Sequence, residues 1–111
     1  MYEYSAICTR VVDGDTIDAR VDLGFNVWIE SRVRLEGIDA PETRTKNLEE
    51  KQAGLKTKAF LQGIMDECEH KFVLKSHGVG KYGRCIGTIY VRGEDINQRL
   101  LAEGYAEKYD K

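Results

Sequence analysis

Residues 2–12 are dense in β-forming side chains, and the run stops at Asp13-Gly14-Asp15, a composition that favours a tight hairpin turn. Ile17, Ala19, Val21 and Leu23 then alternate with Asp18, Arg20 and Asp22, the period-two signature of a strand with one buried face. Gly24-Phe25-Asn26 supplies a second turn. Beyond it Val27, Ile29, Val33 and Leu35 alternate with Glu30, Arg32 and Arg34, while Trp28 falls outside the apolar set and predicts a bulge. Three consecutive antiparallel strands of this kind make a meander.

The period changes between residues 48 and 65, where Leu48, Gln52, Leu55, Ala59, Phe60 and Ile64 approximate one face of an amphipathic helix, with Lys and Glu opposite and a weak point at Gly54. Residues 71–76 read as a short strand, 77–83 as a glycine-rich loop, and 84–92 as a strand with Cys85, Gly87, Ile89 and Val91 facing inward. After a turn at Gly93 and Glu94, Asp95 is placed to cap a last helix whose buried stripe is Ile96, Leu100 and Leu101 and whose stop is Gly104. No repeat, linker or low-complexity segment interrupts this order. A β-β-β-α-β-β-α succession predicts a mainly β domain with α, a five-stranded Greek-key barrel of the OB type with two or three helices, spanning residues 1–111 as one unit.

Composition narrows the class. With 111 residues and 41% apolar content the chain can bury a modest core without covalent staples. Three cysteines, Cys8, Cys68 and Cys85, form no C-x-x-C pair, which points to reduced thiols, Cys8 and Cys85 in the core, and not to a disulfide framework or a structural zinc site. Residues 1–7 lack the basic and apolar regions of an export signal, and no apolar run reaches membrane-spanning length, so no membrane partner is expected. A net charge of −2 does not advertise a broad phosphate-binding surface; any phosphate site must be local.

Residues 34–43, Arg-Leu-Glu-Gly-Ile-Asp-Ala-Pro-Glu-Thr, concentrate such chemistry. Val33 and Leu35 share one face of a strand and Arg34 takes the other. Gly37 allows a bend, and Pro41 ends pairing and biases Ala40 toward an extended backbone, so Asp39, the Ala40 carbonyl and Glu42 are displayed on a constrained turn. Taken alone, the stretch reads more readily as a solvated surface turn, Arg34 as a solvated arginine and Arg84 as one half of a surface ion pair.

Four separated segments change that balance: Val12-Asp13-Gly14-Asp15-Thr16-Ile17, then Arg34-Leu35 with Gly37-Ile38-Asp39-Ala40-Pro41-Glu42-Thr43, then Lys81-Tyr82-Gly83-Arg84, then Asn97 to Gly104. In this order and with these gaps the chain resembles the staphylococcal nuclease (thermonuclease) family from about residue 11 to residue 106. The resemblance implies an OB-fold, calcium-dependent nuclease that hydrolyses DNA and RNA with little sequence preference, single-stranded or melted, as a monomer, and leaves 3′-phosphorylated ends. It also implies roles: Asp15 and Asp39 as calcium carboxylates with the Ala40 carbonyl, Arg34 and Arg84 on the scissile phosphate, Glu42 activating or orienting water, and Lys81 and Tyr82 on the nucleotide. The alternative is a catalytically idle OB module that binds single strands or a protein.

The implied roles suit the residue types. Calcium accepts several oxygens in flexible geometry, and two carboxylates with one carbonyl leave room for water and a phosphate oxygen. Paired guanidiniums give bidentate hydrogen bonds that lysine cannot reproduce. Asp13 reads as turn chemistry at one remove from any ion. Ala40 stands where the best-known member has threonine, a change of little consequence if the ligand is a carbonyl. Residue 111 falls short of the segment that carries the family's base-stacking tyrosines; Tyr105 and Tyr109 are out of register with them and are expected to pack against the barrel. His70 and His77 lack metal-type spacing, and His77 is read as a loop residue. The expected outcome is convergence of Asp15, Arg34, Asp39, Glu42 and Arg84 on one concave face at the barrel mouth.

Overall fold

Both hairpin signals produce turns in the computed structural model, which describes residues 2–79 and 84–109. Strand β1 (Tyr2–Asp13) pairs antiparallel with β2 (Thr16–Asp22), and β2 with β3 (Trp28–Leu35), so the predicted meander is present. A two-residue strand β4 (Ile38–Asp39) leads to helix α1 (Leu48–Glu67) and strand β5 (Lys71–Val79). Strand β6 (Cys85–Val91), β7 (Glu94–Asp95), helix α2 (Ile96–Ala102) and β8 (Glu107–Lys108) complete the order. The main sheet runs β3-β2-β1-β5-β6-β7, and parallel pairing of β3 with β6 closes five of these strands into the expected barrel. The barrel is filled by Ile17, Val33, Leu35, Leu74 and Ile89, and Leu61, Met65, Ile96 and Leu100 seal it from the helices.

Trp28 marks no bulge. The β2–β3 register is unbroken from Thr16 opposite Arg34 to Asp22 opposite Trp28, and Trp28 is in step with the outward Glu30, Arg32 and Arg34, its ring 5.3 Å from the Arg20 guanidinium carbon. The irregularities fall in β1 instead, between Cys8 and Arg10 and between Val11 and Asp13, where a 12-residue strand must bend to serve both β2 and β5. Leu23, Val27 and Ile29, expected to face the core, are exposed because this hairpin projects beyond the barrel end. Strand β5 runs through His77 to Val79, past the predicted limit at Ser76, so His77 belongs to a strand; its Nε2 lies 2.9 Å from Thr88 Oγ1. Cys85 is only half-buried.

Helix α1 begins where the sequence indicates, with the Asn47 side chain accepting the Glu50 N–H at 3.2 Å, but its buried face is not the predicted one. Leu48 and Leu55 are exposed, and the buried positions are Gly54, Thr57, Leu61, Ile64 and Met65. The reason is steric. A Cβ on Gly54 would lie 2.6 Å from the Pro41 carbonyl oxygen and 2.7 Å from that of Glu42, so this turn of the helix sits directly on backbone. Thr57, one turn on, would be 2.2 Å from a Cβ at Gly14, and its hydroxyl donates to the Tyr105 carbonyl at 2.7 Å. Apolar periodicity misses a face whose central residues are a glycine and a threonine.

Asn97 closes the assembly. Its side-chain amide donates to the carbonyls of Glu36 (3.0 Å) and Gly87 (3.2 Å), and its Oδ1 accepts from the Ile89 N–H (3.2 Å). The Asp95 cap is as predicted, accepting from Gln98 N–H at 2.9 Å, and Gly104 adopts φ +77° just beyond the helix.

Two stability outcomes follow from this packing. Helix propensity alone would have Gly54→Ala stabilise the protein by about 1 kcal/mol; contact with two backbone carbonyls reverses the sign, and a loss of about 1–3 kcal/mol is expected in urea unfolding, the scale of an overpacked core. An unchanged or raised midpoint would mean that α1 does not bear on the Pro41–Glu42 backbone. The second concerns Cys8, whose thiol burial pushes from 9.0 up to about 11, against a smaller opposing effect of hydrogen bonding from the Arg10 backbone. The unfolded chain releases this proton near pH 9 and the folded one holds it to about pH 11, so stability falls as pH rises through that window, by roughly 2 kcal/mol. Cys8→Ala should be the less stable protein at pH 8 and close the gap by pH 11; parallel stability curves would clear the thiol.

Candidate active site at the end of strand β3

Arg34 stands opposite Thr16 at the last rungs of the β2–β3 ladder, on the outward face, with buried Val33 and Leu35 on either side of it in sequence. Its Nη1 donates to the Leu35 carbonyl at 2.9 Å, which folds the guanidinium back along its own strand. Nη2 then lies 3.7 Å from Asp15 Oδ2 and 3.7 Å from Asp39 Oδ1. These separations exceed hydrogen-bond length, so the guanidinium acts between the two carboxylates as a shared positive charge that offsets their repulsion.

Asp15 is held rigidly. Its Oδ1 accepts from the Thr16 hydroxyl at 2.9 Å, its Oδ2 accepts from the Ala40 backbone N–H at 2.9 Å, and its own carbonyl accepts the Leu35 N–H at 2.8 Å. Asp39 is fixed through its backbone, since β4 pairs with β8 and sets Asp39 opposite Glu107. The site is graded in depth: the Asp15 and Arg34 side chains are 13% and 18% exposed and that of Asp39 is 60% exposed, so one carboxylate lies in the floor and the other at the rim.

Glu42 is exposed, two residues beyond the anchored Ala40. The next residue, Thr43, donates its hydroxyl to Asp13 Oδ1 at 2.6 Å, and the Pro41 and Glu42 carbonyls rest on Gly54. Arg84 is half-buried and immediately precedes β6; with Val33 opposite Cys85 and Arg34 opposite Ile86 in this parallel pair, its backbone is level with Arg32, two residues before Arg34. Asp15 and Asp39 thus each lie within ion-pair distance of Arg34, and Glu42 is carried on the turn that follows Asp39. Lys81 and Tyr82 lie outside the described residues.

Tyr109 joins the site in place of the expected packing against the barrel. Its ring centroid is 5.5 Å from the Arg34 guanidinium carbon and its backbone N–H donates to the Gly37 carbonyl at 2.9 Å, whereas Tyr105 does pack as expected, stacked on Phe60 at 4.2 Å. Nothing in the local sequence singles out Tyr109, because the pairing of β8 with β4 is what delivers it. Asn97 carried a visible signal, a polar residue inside an apolar helical stripe, and Thr43 carried none beyond its place next to Glu42. His70 is paired with Asp66, Nε2 to Oδ1 3.0 Å, on the surface at the end of α1.

The donor set at this mouth is made of oxygens. Asp15 and Asp39 are hard oxygen donors with the Ala40 carbonyl next in sequence, and no imidazole or thiolate stands among them. Among the described residues no group of three or more His, Cys, Asp or Glu side chains is arranged to hold a metal ion. Two carboxylates and a carbonyl fit an ion that tolerates an incomplete protein shell completed by water and substrate oxygens, as calcium does, and do not fit tetrahedral zinc.

Comparison with known proteins places the chain in a family. The profile of the family described as "Staphylococcal nuclease homologue" matches residues 32–111. The chain is 35% identical over 115 aligned residues to Endonuclease YhcR of Bacillus subtilis (strain 168), an alignment covering 96% of this chain and 9% of that protein. It is 30% identical to Thermonuclease of Staphylococcus intermedius over 92% of this chain and 58% of that one, and 32% identical to Staphylococcal-like nuclease CAN1 of Arabidopsis thaliana over 70% and 22%. The chain therefore spans between about a tenth and somewhat over half of the length of these relatives. With the profile covering most of its residues and the barrel and carboxylate pair in place, the chain belongs to the staphylococcal nuclease homologue family.

Proposed function

We propose that this chain is a calcium-dependent, sugar-nonspecific nuclease that hydrolyses phosphodiester bonds of DNA and RNA, single-stranded or melted, to 3′-phosphorylated products. The observation that carries the reading is the meeting of Asp15 and Asp39, 24 residues apart in sequence (39 − 15), on one guanidinium, Arg34, at 3.7 Å each. Asp15 also anchors the Ala40 N–H, but a phosphoryl-transfer site has a use for both carboxylates and the arginine together. The names of the relatives, an endonuclease and a thermonuclease, support the same class.

In this mechanism Asp15, Asp39 and the Ala40 carbonyl would hold calcium, which would supply positive charge to offset that of the phosphate. Arg34 and Arg84 bind the scissile phosphate through planar N–H pairs that tighten as charge accumulates on its equatorial oxygens. The partly buried Arg34 is worth more here than an exposed arginine, because water screens it less. Glu42, exposed at its turn, orients the attacking water and accepts its proton. The new P–O bond forms from water as the bond to the 5′-oxygen breaks, so phosphate stays on the 3′-oxygen and the leaving alkoxide is protonated by solvent. Lys81 and Tyr82 contact the nucleotide.

Digestion of a plasmid and of an RNA with calcium, with magnesium and with chelator tests the assignment. Cleavage is expected with calcium, weaker turnover with magnesium because it holds its waters more firmly, and none with chelator. Glu42→Gln keeps the reach of the side chain and removes its basicity, so cleavage should fall by roughly 10²-fold or more while calcium affinity, read by calorimetry, moves little. Activity undiminished by chelator would remove the metal from the mechanism, and full activity in the glutamine variant would remove Glu42. A parent chain that binds single strands without cutting them would favour the idle binding module.

A further inference from the structure

The four residues Ala40, Pro41, Glu42 and Thr43 form a short bridge between β4 and the approach to α1, and the β1–β2 turn grips both ends of it. At one end the Ala40 N–H donates to Asp15 Oδ2 at 2.9 Å; at the other the Thr43 hydroxyl donates to Asp13 Oδ1 at 2.6 Å. The two acceptors flank Gly14, which is buried and itself lies against Ala40 and Thr57. Between the anchors Pro41 has its φ locked by its ring, and the Pro41 and Glu42 carbonyls rest on Gly54. Glu42 is thus an exposed side chain on a backbone constrained from both sides and from beneath.

An exposed glutamate on an ordinary turn samples many directions, and its carboxylate would spend little time along any one line of attack. Holding a reacting group within a fraction of an ångström is worth orders of magnitude in rate, and a displacement of about 1 Å costs about 10²-fold. The Ala40 anchor ends on Asp15, a residue already assigned to the ion. The Thr43 anchor ends on Asp13, which has no assigned role, and like the Ala40 anchor it is a charge-assisted hydrogen bond to a carboxylate. Downstream of Thr43 the chain is next tied at Thr45, whose Oγ1 accepts the Asn47 N–H at 3.2 Å, and that bond belongs to the start of α1.

We infer that Asp13 and Thr43 are positioning residues whose hydrogen bond fixes the direction of the Glu42 carboxylate, an inference that rests on the hydrolytic reading of Glu42. Asp13 acts at one remove from the reaction, through Thr43 and the backbone, and touches neither water nor phosphate.

The test combines kinetics with amide hydrogen exchange on the full chain. Thr43→Val preserves shape and removes the donor. It should lower kcat by roughly 10-fold to 10²-fold, with KM and calorimetric calcium affinity within about twofold of the parent and the calorimetric calcium stoichiometry unchanged, whereas general loss of folded protein would lower that stoichiometry in step with kcat. Thr43→Ser keeps the hydroxyl and Asp13→Asn keeps an acceptor oxygen, so both should retain most of the activity, while Asp13→Ala should match Thr43→Val and the double variant should be no worse than either. In a Glu42→Gln background Thr43→Val should cost nothing further, because the group it positions is already disabled. Exchange at the Ala40 amide, which donates to Asp15 at the other end of the bridge, should quicken in Thr43→Val while barrel amides stay unchanged. The inference is overturned if Thr43→Val cleaves like the parent, if its loss persists undiminished in the Glu42→Gln background, or if Thr43→Ser fails to rescue. Should the parent itself not cleave, the hydrolytic reading fails on its own account and exchange still decides: unaltered protection of the Ala40 amide in Thr43→Val overturns the claim that this bond holds the turn.

Discussion

One buried side-chain amide, that of Asn97, joins the parts of this protein that would otherwise have no reason to meet. It contacts the carbonyls of Glu36 and Gly87 and the N–H of Ile89, so helix α2, the exit of β3 and the middle of β6 are fixed by a single group that leaves no donor or acceptor unused at those points. The β3–β6 pair that closes the barrel ends at the same place, with Leu35 opposite Gly87. Parallel pairing between two strand ends is a short and costly closure, and a buried amide at its terminus supplies the hydrogen bonds that the ladder no longer can. Everything at the mouth inherits its position from there: Arg34 just before this exit, Asp39 just after it.

The second constraint is the close seat of α1 on the Pro41–Glu42 backbone. A helix that presents Gly54 and Thr57 at its contact can approach main chain more nearly than one presenting leucine, and the approach brings the two turns of the site against the same helical face. The cost is a helix with exposed leucines at 48 and 55 and a glycine in its interior. Buried Leu61, Ile64 and Met65 in its second half restore the apolar contact that the first half gives up. The helix is therefore divided in purpose along its length, with core at one end and support for the carboxylate turns at the other.

Electrostatics at the mouth follow from depth. Asp15 and Arg34 are mostly withdrawn from water and Asp39 is not, so the pair in the floor interacts through a less screening medium than the residue at the rim. Stacking of Arg34 against Tyr109 covers another side of the guanidinium, and because Tyr109 follows β8, the C-terminal strand takes part in shaping the site.

The barrel strands were legible in the chain because each of their buried faces is declared locally, by residues two apart: Ile17, Ala19 and Val21, or Gly87, Ile89 and Val91, need no distant partner to be read. The same holds for the caps at Asn47 and Asp95 and for the concentration of charge in residues 34–43, whose meaning came from the spacing of four segments. Local sequence could not reveal which face of α1 is buried, since close approach to backbone selects absent side chains, and an apolar count scores a glycine as nothing. Nor could it show that Leu23, Val27 and Ile29 stay in solvent, because exposure there depends on where the other strands end. The pairing of Asp15 with Ala40, of Asp13 with Thr43 and of Arg34 with Tyr109 joins residues 25, 30 and 75 positions apart (40 − 15, 43 − 13, 109 − 34). Contacts over such distances exist only once the barrel has closed and β8 has docked on β4, so the residue types at the site were set by the sequence and their geometry by the tertiary fold.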